Sequence, residues 1–201
     1  KYITQAGGKL DDNIKNKLIS MCEEKKIKFF VMYGQAEASP RISIMPWNLI
    51  KKFPKSVGNP LPGGKVWIEN DKNKKISKKN IQGNLIYKGK NVFLGYSHSY
   101  KDLGKKDEMK NTLKTGDIGF IDNNGLIYIT GRKKRILKIF GIRISLDLLE
   151  NELKRHNYDC ICFGSDNKLK IYLKKNKKLD FVKFDENLRN ITKLSPNFYE
   201  I

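Results

Sequence analysis

Residues 115–149, TGDIGFIDNNGLIYITGRKKRILKIFGIRISLDLL, constrain the fold more than any other stretch of the chain. Turn signals and short apolar strands alternate there with no spare residues. Thr115-Gly116-Asp117 reads as a turn, residues 119–121 as a strand, and 122–125 as a hairpin loop whose Asn124-Gly125 pair is a strong turn signal. Residues 126–130 form the returning strand, and Gly131-Arg132 opens a second turn. A basic strand over 136–140, a turn at Gly141 and a helix capped by Ser145 complete the series. Asp147 and Glu150 stand near the positive end of that helix.

The flanking segments follow other rhythms. Residues 1–9 predict a short strand ending at Gly7-Gly8. A helix over 11–24 follows, with Asp11 or Asp12 as its cap and Ile14, Leu18, Ile19 and Cys22 at helical spacing. The apolar run 28–32, ended by Tyr33-Gly34, has the character of a buried parallel strand, so residues 1–50 form a strand–helix–strand unit of an α/β sheet. From Ser56 the Gly and Pro turns of SVGNPLPGGKVWIEN lead into strands at 65–69 and 83–87. Residues 56–130 therefore predict a small twisted antiparallel sheet or distorted barrel. After the helix, which runs to about His156, strands at 160–164 and 169–174 pair through a turn at 165–168. The lysine run 174–178, a helix over 180–193 and the start of a strand at 198–201 follow.

The expected fold class is mixed α+β: the end of an α/β sheet, a distorted antiparallel β-barrel, and a small α+β C-terminal domain. The boundary is expected between 132 and 133, with the final element of the 133–201 domain missing. Because the chain opens at Lys1 without a signal-like segment, it is expected to start inside a longer protein.

A net charge of +20 raises the question of nucleic acid. The basic residues are almost all lysines, spread among many Asn and Ile residues, and only Arg132 and Arg135 sit close together. Without arginine clusters or interleaved aromatics the composition argues against a nucleic-acid partner, which stays the lesser alternative. What remains is a basic surface suited to an acidic protein. No apolar run is long enough to span a membrane. Cys22, Cys160 and Cys162 carry no metal-ligand pattern and read as buried, reduced thiols of a cytoplasmic protein. Cys160 and Cys162 should face the same side of one strand.

Four motifs join these observations: VMYGQAEAS at 31–39, SVGNPLPG at 56–63, GKNVFLGY at 89–96 and TGD at 115–117, followed by Ile129, Arg132 and Lys138. In this order and spacing they resemble the core of the adenylate-forming enzymes, which include acyl-CoA synthetases, amino-acid-activating domains and firefly luciferase. The resemblance implies a set of roles. Gly7-Gly8 lies against the adenine ring, Tyr33 stacks on it, and the Gly34–Gln35 backbone lines the nucleotide. Glu37 helps to hold Mg²⁺, whose hardness suits a carboxylate oxygen between phosphates. Asp117 takes the ribose hydroxyls, Ile129 packs the adenosine, Arg132 makes a second ribose contact and Lys138 also reaches the nucleotide. Lys134 is the hinge about which a mobile small domain swings between an adenylating and a transferring arrangement. Gly141 and Arg143 belong to the loop that the second arrangement brings beside the thiol tunnel. SVGNPLPG and GKNVFLGY are turn motifs without chemistry.

The chain departs from the pattern at Ala36, where the family has a threonine that contacts phosphate. A hydrogen bond to a charged group is worth about 1.5–3 kcal/mol, which would slow adenylation by about one to two orders of magnitude. The family's phosphate loop and its distal catalytic lysine have no counterpart in this stretch.

The expected function is that of a fragment of an ATP- and Mg²⁺-dependent, cytoplasmic ligase. It would join a carboxylic or amino acid to AMP, then pass the acyl group to the thiol of CoA or of an acidic acyl or peptidyl carrier protein. The fragment alone would bind nucleotide weakly and catalyse nothing. Two alternatives stay open: a non-catalytic nucleotide-binding or scaffold descendant, and a basic nucleic-acid-binding domain.

Overall fold

A computed structural model describes residues 1–174 and 179–201, so most of the lysine run at 174–178 lies outside the described residues. The chain divides into two compact units, Lys1–Ile129 and Thr130–Ile201.

In the first unit β1 (Tyr2–Gln5), α1 (Asp12–Glu24) and β2 (Lys28–Tyr33) form the expected strand–helix–strand unit, with β1 and β2 parallel from Tyr2↔Lys28 to Gln5↔Val31. Asp11 is the cap. Its Oδ1 accepts from the Asn13 and Ile14 amides at 2.9 and 3.4 Å, satisfying donors that the first helical turn leaves unpaired. Ile19 and Cys22 turn into a core with Phe29, Val31, Met45, Ile50 and Leu126. Ile14, expected on the same face, is 52% exposed. Lys15 is buried instead, its Nζ donating to the Pro54 carbonyl at 2.9 Å, and burial lowers its pKa despite Asp12 nearby.

β2 ends where the chain must turn sharply. A Cβ on Gly34 would lie 1.9 Å from the Pro40 carbonyl oxygen and 2.8 Å from the Arg41 Cα, so only glycine lets the returning chain approach. β3 (Ser43–Ile44) and β4 (Asn59–Pro60) then extend the first sheet in the order β1-β2-β3-β4. Both are two residues long, too short to show a period in the sequence.

β5 (Lys65–Glu69), β6 (Lys75–Ile76), β7 (Gly83–Lys88), β8 (Thr112–Ile121) and β9 (Ile127–Arg132) form a second sheet in the order β6-β5-β7-β8-β9. The expected distorted barrel is corrected here. β6 and β9 are opposite edges, and a two-residue β6 offers no ladder with which to close a ring. A second correction concerns Thr115-Gly116-Asp117, which is not a turn between elements but lies inside β8. Pairing passes from Ile86↔Lys114 to Asn84↔Ile118, so these three residues oppose Leu85 alone in a β-bulge. Gly116 takes φ +76°, and the Thr115 hydroxyl donates to the Leu85 carbonyl at 2.8 Å while accepting the Asp117 amide at 3.1 Å. The hairpin after β8 turns at Gly125, φ +79°, with Asp122 Oδ1 accepting from the Asn124 and Leu126 amides at 2.9 and 2.8 Å.

In the second unit β10 (Ile136–Ile139) and β11 (Ile142–Ser145) form an antiparallel hairpin that leads into α2 (Leu146–Arg155). β12 (Cys160–Ser165) and β13 (Lys168–Leu173) pair antiparallel, α3 (Phe181–Thr192) follows, and β14 (Tyr199–Glu200) returns parallel to β13. Leu146, Leu149 and Leu153 of α2 and Phe184 and Leu188 of α3 pack over Ile139, Cys162, Leu169 and Ile171. The three cysteines are free thiols. Cys160 is half-buried, less than expected, and the adjoining Cys160 thiol together with burial pushes the Cys162 thiol up. No helix among the described residues is long and apolar enough to cross a membrane.

Two stability predictions follow from this packing. Gly34→Ala should lower stability by about 2 kcal/mol or more, the upper part of the range for overpacking. It would be read as a lower urea midpoint at constant slope, and an unchanged midpoint would show that the turn opens freely. Tyr199, 7% exposed, is held protonated by burial and by the hydrogen bond it donates to Asp185, which push its phenol from 10.0 up to about 12. The native state keeps a proton that the unfolded chain has lost, a stabilisation of about 2–3 kcal/mol, complete below pH 10 and lost as pH rises through 12. Stability curves of the parent and of Tyr199→Phe should therefore converge between about pH 10 and 12. Parallel curves would remove the proton from the account.

Candidate functional site

The side chains that the sequence singles out in the first unit gather at the C-terminal end of β2, where strand ends of an α/β sheet present ligands. Tyr33 closes β2, and the β8 bulge brings Asp117 to it: the Tyr33 hydroxyl donates to Asp117 Oδ2 at 2.5 Å. Gln35 Nε2 reaches the Thr115 carbonyl at 3.4 Å, tying the loop after β2 to the same bulge. Asp117 is 4% exposed, a depth at which a carboxylate needs hydrogen-bonded partners. Tyr33 and Ile129 both pack against the core of Ile68, Leu85 and Ile127. One strand end thus offers a flat ring, an oriented carboxylate able to accept two hydrogen bonds, and an apolar neighbour.

Glu37 lies in the one-turn helix Ala36–Ala38 that follows, half-buried, with Ala36 exposed beside it. Its Oε1 accepts from the Tyr96 hydroxyl at 2.8 Å, and this bond, with some burial, raises the Tyr96 phenol above its usual range. The Glu37 carbonyl accepts the Phe93 amide at 2.9 Å. Asn91 Nδ2 donates to the Ala38 and Arg41 carbonyls at 2.5 and 2.8 Å, and its Oδ1 accepts from Tyr87 at 2.7 Å. The GKNVFLGY motif, read as a turn without chemistry, is therefore bonded along the whole Glu37 turn. Its pattern of Gly and apolar residues hides the point that Tyr96 aims at a carboxylate over fifty positions earlier in sequence. Gly7, with φ +98°, and Gly8 form the turn after β1, held by Gln5 Nε2 on the Gly8 carbonyl at 2.5 Å, and a Cβ at either would meet open space.

The remaining residues belong to the second unit. Arg132 and Lys134 are exposed, and the Arg132 amide donates to Asp147 Oδ2 at 3.2 Å. Lys134 sits in the one-turn helix Lys133–Arg135. Lys138 and Arg143 are cross-strand partners on the β10–β11 hairpin, whose tip places Phe140 and Gly141 at φ +48° and +80°. Such a turn needs positive φ at both positions, which makes Gly141 structural in the first instance. The sequence reading missed Arg135, whose Nε and Nη2 pair with Asp147 Oδ1 at 2.5 Å and Glu150 Oε1 at 2.7 Å. Glu150 Oε1 also accepts the Cys162 amide at 2.7 Å. Two carboxylates three residues apart share one face of a helix, and that spacing was the signal for a cation to bridge them.

Comparison with known proteins finds sequence likenesses over parts of the chain. The family model for AMP-binding enzymes matches residues 1–97. The chain is 29% identical over 139 residues to 2-succinylbenzoate–CoA ligase of Bacillus cytotoxicus, covering 69% of this chain and 28% of that protein. It is 33% identical over 124 residues to a probable 4-coumarate–CoA ligase of Dictyostelium discoideum, covering 62% and 22%. The fold is shared with o-succinylbenzoate CoA synthetase of Bacillus subtilis in complex with ATP and magnesium ion, at TM-score 0.70 and 22% identity over 98% of this chain and 41% of that one. The chain thus spans less than a third of the curated relatives it matches. Its motifs and these likenesses agree, and together they support the adenylate-forming, AMP-binding enzyme superfamily as the family of this chain.

Proposed function

We propose that the chain is part of an ATP-dependent acyl-CoA ligase, in which residues 1–132 belong to the large domain and 133–201 to the small mobile one. The observation that carries this reading is the Tyr33–Asp117 contact, with Ile129 on the same core. A carboxylate held by a phenol at a strand end is suited to accept two vicinal ribose hydroxyls, while the Tyr33 ring face and Ile129 offer apolar surface to a base. Gly34 and Gln35 would present backbone along the nucleotide, and Gly7-Gly8, open above its Cβ positions, would admit the flat adenine ring. Arg132 would add a second ribose contact, Lys138 a further contact to the nucleotide, and Lys134 would be the pivot.

Among the described residues no cluster of three or more His, Cys, Asp or Glu could cage a metal. Magnesium would be held by one protein carboxylate, that of Glu37, together with the phosphates of ATP. Bound there, the ion would neutralise the phosphate charge that opposes attack by a carboxylate. The acid would displace pyrophosphate from ATP to give acyl-AMP, and a thiol would then displace AMP. Coenzyme A is the favoured acceptor, because the relatives are named as CoA ligases. The lysine-rich surface supports a carrier protein instead, and the reaction would run in the cytoplasm, where ATP and CoA are supplied.

A second, non-catalytic reading is favoured by Ala36, which presents a methyl group where a phosphate-binding hydroxyl is expected. Pyrophosphate exchange on the full-length protein with ATP, Mg²⁺ and a panel of aromatic, fatty and amino acids separates the two. Exchange with one acid, lowered at least about tenfold by Asp117→Ala, is expected for a ligase. ATP binding without exchange for any acid would establish the non-catalytic reading. Ala36→Thr should speed exchange by about ten- to a hundredfold, the worth of one hydrogen bond to a charged phosphate. An unchanged rate would show that phosphate is held by other groups.

A further inference from the structure

The bond between Tyr96 and Glu37 is not required by burial. Tyr96 is 61% exposed, so water could satisfy its hydroxyl, and Glu37 is only half-buried. The phenol nonetheless donates to Glu37 Oε1 at 2.8 Å. Its ring is braced edge-on by Phe93, with centroids 4.8 Å apart at 75°, and the Phe93 amide holds the Glu37 carbonyl at 2.9 Å. Gly95 permits the reach between these two aromatics, with φ +155° and the Glu108 carboxylate 3.0 Å from where its Cβ would be. Asn91, gripped by Tyr87, completes the scaffold on the Ala38 and Arg41 carbonyls. Residues 87–96 thus hold both the backbone and the side chain of Glu37.

We infer that Tyr96 is a positioning residue for Glu37, orienting its carboxylate so that one oxygen is occupied by the phenol and the other is directed to a phosphate-bound divalent cation. The inference rests on reading Glu37 as the magnesium ligand. A carboxylate on a flexible side chain samples several rotamers, and a donor fixed to one oxygen removes that freedom before the cation arrives. The phenol is a suitable donor because it stays neutral and does not cancel the charge the cation needs. A lysine in its place would.

The test compares the full-length parent with Tyr96→Phe, which removes one hydroxyl and keeps the ring on Phe93, and with Glu37→Gln. ATP affinity is measured by calorimetry with and without Mg²⁺, binding of Mn²⁺ with ATP by paramagnetic resonance, and stability by thermal melting. Tyr96→Phe is expected to weaken ATP binding about fivefold with Mg²⁺, the worth of a modest hydrogen bond, and Mn²⁺ uptake in parallel. ATP binding without metal and the melting temperature should stay at the parent's values. Equal Mg²⁺-dependent affinity in parent and Tyr96→Phe would overturn the inference, as would an equal loss without metal, which marks a structural staple. If Glu37→Gln leaves the Mg²⁺ dependence intact, the reading of Glu37 itself fails, and the role of Tyr96 with it.

Discussion

The candidate site depends on the three-for-one bulge in β8. A regular strand would leave Thr115, Gly116 and Asp117 on successive sides of the sheet, each opposite a residue of β7. By setting all three against Leu85, the chain turns Asp117 to the Tyr33 hydroxyl and places Thr115 to lock the irregularity from within. The bulge adds two residues relative to β7, an even number, so the alternation of inward and outward side chains stays in phase on both sides of it. The cost is a positive φ, which glycine meets at Gly116 without a Cβ clash. The sheet gains a distortion at one point and keeps its packed face elsewhere.

A second constraint joins that bulge to the Glu37 turn. Gly34 lets the chain fold back tightly after β2, so that Gln35 can reach the Thr115 carbonyl while Glu37 follows in the next turn. The segment after β7 then holds that turn from its other side through Asn91, Phe93 and Tyr96. Asn91 and the Phe93 amide donate to backbone carbonyls there, in place of the regular hydrogen bonds that a single helical turn cannot supply, and Tyr96 donates to the Glu37 carboxylate. The Glu37 turn is therefore held through its carbonyls, and the Tyr33–Asp117 and Tyr96–Glu37 bonds fix the side chains themselves, a condition for preorganisation. In the second unit Arg135 plays a comparable part, bridging two carboxylates of α2, one of which also caps the Cys162 amide.

The regular elements were legible where a period or a cap repeats. α1 with Asp11, the apolar β2, the Asn124-Gly125 hairpin and the two helices of the second unit all announce themselves through local chemistry. The short strands β3, β4 and β6 were not, since two residues carry no period and their extended form is imposed by neighbours. Ile14 is exposed, against expectation, and Lys15 is buried for a related reason. A carbonyl at Pro54, far away in sequence, made it favourable to bury a lysine that could donate to it. Tyr96 and Arg135 were missed because each acts on a carboxylate that only the fold brings within reach.

The sequence by itself pointed to the family and to the longer elements in their order, and it singled out the residues proposed to meet a nucleotide, because those readings rest on motif spacing and side-chain chemistry. Tertiary structure decided that the middle sheet stays open, that TGD is a bulge and not a loop, and that Tyr33, Asp117 and Gln35 converge. The reason is physical. Propensity and periodicity act over a few residues, whereas a register shift between β7 and β8, or a phenol meeting a carboxylate across more than fifty residues, is settled by the joint packing of segments that carry no local record of one another.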